Sequence, residues 1–158
     1  MFKRICQLLL LSFALNAGAQ ASVDTSTPDA LVKDVTEEVL ATLRTDPSIK
    51  AGDVKKAAAL VETSVLPHFN FTRMTALAVG REWRTATDEQ KKQLTDEFRT
   101  LLVRTYSNAL TSFRNQTVEY RPFKMAPTDT DVTVRTQINQ PGGRPIPIDY
   151  ALEKQDAG

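Results

Sequence analysis

The chain has 158 residues, with 20 lysines and arginines against 19 acidic residues, one histidine and one cysteine. That length is one domain with an adequate core. The near-neutral balance gives no basic field for capturing nucleic acid, and a single cysteine excludes an internal disulfide framework.

Residues 1–21 read as a secretory signal peptide. Lys3 and Arg4 form a positive start, Leu8 to Leu15 is an apolar run too short for a bilayer, and Ala19-Gln20-Ala21 is a small-residue cleavage pattern. Cys6 precedes the apolar run rather than following it, which argues against a lipoprotein anchor, and it leaves with the signal. Thiol chemistry and cysteine metal sites are thereby excluded from the remainder, residues 22–158, which read as a single domain. Export without cysteine fits a bacterial periplasm.

Ser22 to Pro28 is a polar leader. Thr27-Pro28 opens a helix, a hydroxyl cap followed by proline in the first turn. Leu31, Val35, Val39 and Leu43 then recur every fourth residue, so this helix is amphipathic up to Asp46-Pro47. Gly52-Asp53 starts a second helix that stops before Pro67. Asn70 caps a third, with Gly80 expected in a left-handed conformation at its end.

Thr87 and Gln90 form a capping-box pattern at the start of a long helix, from about Asp88 to Phe113. Its expected apolar face carries Leu94, Phe98, Leu101, Leu102, Tyr106, Ala109, Leu110 and Phe113. After Asn115 the period changes to two. Val118 and Tyr120, then Val132, Val134, Thr136 and Ile138, then Ile146, Ile148, Tyr150 and Leu152 mark the apolar sides of three strands. Pro141-Gly142-Gly143 is a turn, and Pro145 and Pro147 place the last strand at a sheet edge. The expected architecture is α+β, an antiparallel meander covered by helices.

Chemistry is sparse. His68 lacks a nucleophile-elbow pattern to serve and reads as a partly buried histidine at a helix junction. One histidine and no cysteine leave only carboxylates for a metal, none with loop-ligand spacing, so no catalytic or metal residue is assigned. Arg73, Arg81, Arg84 and Arg104 are candidates for meeting a lipid phosphate or a membrane partner, although each also suits a plain surface. Periodicity alone favours a filled core over a ligand cavity.

The middle of the chain resembles the MlaC family of periplasmic phospholipid-binding proteins, also labelled toluene-tolerance components. The likeness is carried by Leu66-Pro67-His68-Phe69, Ala76-Leu77-Ala78-Val79-Gly80, Trp83-Arg84-Thr85-Ala86-Thr87, Thr105-Tyr106-Ser107-Asn108-Ala109-Leu110 and Gly143-Arg144-Pro145-Ile146-Pro147-Ile148-Asp149-Tyr150. It spans nearly all of residues 22–158. The resemblance implies helices packed around a curved antiparallel sheet, NTF2-like or cystatin-like, with an apolar cavity for phospholipid acyl chains. It implies no enzyme and no cofactor, with phospholipid as cargo. It further implies a monomer that shuttles lipid between an inner-membrane MCE-domain/ABC transporter complex and an outer-membrane lipoprotein–porin complex, maintaining outer-membrane lipid asymmetry. Family members continue with a strand and helices, so the C-terminal part of the domain is expected to be missing from this sequence.

On that basis the lipid-binding candidates are Phe71, Met74 and Leu77 on the third helix and Phe98, Leu101, Leu102, Tyr106 and Leu110 on the long one. The sheet adds Val132, Val134, Ile148 and Tyr150, with Tyr106 and Tyr150 suited to the mouth. Two other readings remain open. A small NTF2-like enzyme would need a perturbed carboxylate or histidine in the pocket. A periplasmic adaptor would show an exposed apolar patch and no ligand.

Overall fold

The computed structural model describes residues 23–155; the signal-peptide assignment lies outside them. Helix α1 spans Pro28–Thr45, with the Thr27 hydroxyl accepting from the Ala30 amide. Asp46 ends it and at once caps α2, Pro47–Lys50, through the Ser48 and Ile49 amides. Asp53 caps α3, Val54–Leu60.

The second helix departs from expectation in its latter half. Past Leu60 the chain widens into a π turn, Val61–Val65, and then tightens into a 3-10 turn, Leu66–His68. Pro67 explains this: in a regular α-helix its ring would strike the carbonyl of Thr63. The widened turn is tied to α1 by Ser64, whose hydroxyl donates to Glu38 Oε1 at 2.5 Å.

Asn70 caps α4, Phe71–Val79. Gly80 ends it with φ 71° and ψ −131°. The positive φ agrees with the sequence reading, but ψ places the residue outside the left-handed helical well, because the chain turns straight into a 3-10 segment, Gly80–Arg84. Helix α5 runs Asp88–Thr111 and carries both halves of the Thr87–Gln90 capping box.

The sheet is the expected meander, β1 Thr117–Tyr120, β2 Asp131–Asn139 and β3 Ile146–Glu153, in the order β1-β2-β3. Val118 pairs with Ile138, Val134 with Tyr150, Thr136 with Ile148 and Ile138 with Ile146, so the apolar residues share one face. The opposite face is ionic: Arg135 meets Asp149 at 3.5 Å and Arg121 meets Glu119 at 2.7 Å. Among the described residues, no helix is long and apolar enough to cross a membrane.

The filled core is small. Leu43, Ile49 and Ala57 are buried together where α1, α2 and α3 meet, with Val39, Leu60, Leu110 and Phe113 packed around them. Helix α5 joins this core differently from its sequence pattern. Its N-terminal half covers Lys91, Thr95, Phe98 and Leu102; its C-terminal half covers Val103, Ser107 and Leu110. Between the two halves the covered stripe steps sideways by one residue. Small side chains on α5 and α3 fit this shift. Ser107 and Ala57 are fully buried on helices that pack against each other, which permits a close approach. Ser107 satisfies its hydroxyl by donating to the Val103 carbonyl at 2.6 Å. Leu94, Leu101 and Tyr106 consequently stand in solvent, Leu101 at 58% and Tyr106 at 61% exposure.

Candidate functional site

Between α1, the start of α4, the end of α5 and the apolar sheet face lies an open cavity of about 1400 Å³. Small-molecule sites usually hold roughly 300–1,000 Å³. One wall is the four-residue repeat of α1, Leu31, Val35, Val39 and Leu43. Met74 and Leu77 of α4 face it, Leu110 and Phe113 come from α5, and Val118, Val132, Ile138, Ile146, Tyr150 and Leu152 supply the sheet. Most of these side chains are half-buried, but Leu77 at 73% and Ile146 at 46% exposure stand at the cavity's open edge.

Of the twelve sequence candidates, Met74, Leu77, Leu110, Val132 and Tyr150 line this cavity. Seven do not. Val134 is 2% exposed and is filled core under the sheet. Ile148 is half-buried on the apolar face beyond the cavity wall. Phe71 leans on Phe69, with ring centroids 6.1 Å apart. Phe98 and Leu102 belong to the N-terminal, half-buried stripe of α5. Leu101 and Tyr106 are exposed and neither is among the residues lining the cavity. The α1 wall was absent from the candidates. Its signal, an unbroken four-residue apolar repeat, was present but equally suited an ordinary core helix.

The rim is polar and uneven. At one end Arg73 reaches Glu153 at 2.8 Å and Asp131 at 3.5 Å, while Asn70 donates to Glu153 at 2.7 Å. His68 lines the same end and is exposed, not partly buried as its sequence context suggested. At the other end stand Gln116 and Gln140. Asp149 touches the rim, but its carboxylate is engaged by Arg135 on the outer face. Of the other candidate arginines, Arg81, Arg84 and Arg104 are exposed and lie outside the cavity lining.

Beside the cavity, the Tyr120 hydroxyl is buried next to the Thr36 hydroxyl, with no well-formed hydrogen bond to it or to any other group among the described residues. Burial, and then the nearby Glu37 carboxylate, raise its pKa. Among the described residues no cluster of histidine, cysteine and acidic side chains could hold a metal ion.

The fold and the cavity together define a class: an α+β protein whose helices and antiparallel sheet enclose an open, apolar hollow. The model of the family described as MlaC protein matches residues 33–158, and the chain belongs to that family. The intermembrane phospholipid transport system binding protein MlaC of Haemophilus influenzae is 21% identical over 136 residues, covering 85% of this chain. The chain spans 64% of the length of that curated relative. A solved structure from Ralstonia solanacearum, described as a phospholipid-binding protein in complex with a phospholipid, is 45% identical. It superposes with a TM-score of 0.74 over 80% of this chain and 70% of its own.

Proposed function

We propose that this protein binds a phospholipid, with the acyl chains in the cavity and the head group at the polar rim. The observation that carries the reading is the cavity itself, about 1400 Å³ walled chiefly by aliphatic and aromatic side chains. Two acyl chains of about sixteen carbons, with each methylene taken as ~30 Å³, the share of one water in the liquid, need on the order of 1,000 Å³. The space therefore suits two chains and their glycerol. The names of the relatives support the same cargo.

Energetics support a carrier. Each buried methylene contributes ~0.8 kcal/mol, so two such chains gain on the order of 25 kcal/mol relative to water. Relative to a bilayer the balance is near zero, which lets cargo load and unload without a chemical step. The wider role we propose is periplasmic: a binding protein, not an enzyme, that exchanges phospholipid with an inner-membrane MCE-domain/ABC transporter complex and an outer-membrane lipoprotein–porin complex.

The test is extraction of the protein purified from bacteria, with phospholipid per protein measured by mass spectrometry. A ratio near one that survives gel filtration supports the carrier. A lipid-free protein, in a preparation where a known carrier keeps its cargo, refutes it.

A further inference from the structure

We propose that Arg73 and Asp131 read the head group, Arg73 taking the phosphate and Asp131 a neighbouring ammonium, so that the cavity favours zwitterionic over anionic phospholipids. The proposal rests on the carrier reading and refines it. Asp131 and Glu153 are register partners at the ends of β2 and β3; strand parity puts them on the ionic face with Arg135 and Asp149, and at this sheet end both also border the cavity. Two carboxylates placed directly opposite each other across strands repel. Arg73, from the first turn of α4, spans both, with Nη2 at 3.5 Å from Asp131 and Nη1 at 2.8 Å from Glu153. Among the described residues that line the cavity, Arg73 is the only lysine or arginine.

The two carboxylates are not equivalent. Glu153 is 23% exposed and pinned, accepting from Asn70 at 2.7 Å and Gln155 at 3.1 Å as well as from Arg73. Its part is to hold the guanidinium. Asp131 is 66% exposed and more lightly held, by a long 3.5 Å hydrogen bond from Arg73 and by the Thr130 hydroxyl at 3.1 Å. A guanidinium keeps donors free after two such contacts, and its planar fork matches a phosphate. One cation between two anions leaves the group net negative. A phosphodiester arriving alone deepens that excess. A phosphodiester that carries an ammonium on an ethanolamine spacer does not, and brings a partner for Asp131.

The test loads delipidated full-length protein from vesicles of equal parts phosphatidylethanolamine and phosphatidylglycerol with matched acyl chains. The protein is re-isolated, and both lipids are counted by mass spectrometry. The expected result is about fivefold enrichment of phosphatidylethanolamine, the scale of exposed charge pairs, shrinking as salt is raised. Asp131→Asn should bring the ratio close to one with total lipid unchanged. Arg73→Gln should lower the total for both lipids, with the thermal transition checked in each variant. Equal loading by the wild type, or an enrichment that Asp131→Asn leaves intact, overturns the head-group reading and spares the carrier. No lipid of either kind, in any variant, overturns both.

Discussion

Met74→Trp separates a cavity wall from a filled core. Met74 is half-buried on α4 and lines the cavity that the α1 repeat also lines. The indole adds about six heavy atoms to the hollow, displacing on the order of five acyl methylenes; at ~0.8 kcal/mol each this approaches ~4 kcal/mol. A bilayer, where the lipid otherwise resides, is unchanged by the substitution, so the loss falls on the protein complex alone. The cavity is open, and a lipid that slides outward keeps part of its contact. The expected fall in affinity is therefore at least tenfold, ~1.4 kcal/mol. Stability should change by less than ~1 kcal/mol, a few degrees in Tm, because the new ring enters empty space rather than packed atoms. The assay is retained phospholipid per protein beside a thermal melt. Leu101→Trp is the control: Leu101 is 58% exposed and outside the cavity, so lipid content should stay at the wild-type level. Wild-type lipid in Met74→Trp with a melt lowered by 10 °C or more, about 2–4 kcal/mol, would mark Met74 as core and refute the reasoning.

Other perturbations test the frame around the cavity. Thr87→Ala removes the hydroxyl that accepts the Gln90 amide at 3.2 Å and should cost ~1 kcal/mol, read as a lower melting temperature with lipid content unchanged. Gly80→Ala meets nothing within 4 Å, so its expected loss of more than ~1 kcal/mol is backbone strain at φ 71° rather than a clash, and a melt measures it. The Asp46 carboxyl is held below the usual carboxylate pKa, chiefly by the Ile49 amide, with the Ser48 amide and Lys56 acting against desolvation. Its pKa is depressed in the fold, so its contribution is present above the unfolded value of about 4 and is lost as pH falls through the lower folded value. Wild-type Tm should accordingly drop on acidification below pH 4 more steeply than that of Asp46→Asn, and parallel curves would refute this.

The features legible in the sequence are those decided locally. The caps at Thr27, Asn70 and Thr87 bond within three residues of themselves, so their chemistry is complete in a short window. Strand parity is local too: the alternation of Val132, Val134, Thr136 and Ile138 fixes which side faces inward whatever lies opposite. The α5 stripe was not local. Leu101 and Leu102 look alike in a periodic pattern, and the choice between them follows from the packing of α5 on α3, where Ser107 and Ala57, fifty residues apart in the chain, are both fully buried. The π turn likewise came from Pro67 acting backward on the preceding helix.

The cavity was the least legible feature, for a physical reason. Periodicity reports that a side chain leaves water, not what meets it there. Val39 and Leu110 pack on the filled cluster of Leu43, Ile49 and Ala57 and also line the hollow, so a single residue serves both environments. On the carrier reading the acyl chains complete this core. An apolar ligand that binds only the folded state stabilises it by RT ln(1 + [L]/Kd), about 2.7 kcal/mol at a hundredfold excess over Kd. On that reading a fold with few fully buried apolar side chains among the described residues would gain from its cargo a stabilisation comparable to several buried methyl groups. Cargo and fold are then one equilibrium: a membrane that withdraws the lipid also withdraws that stabilisation.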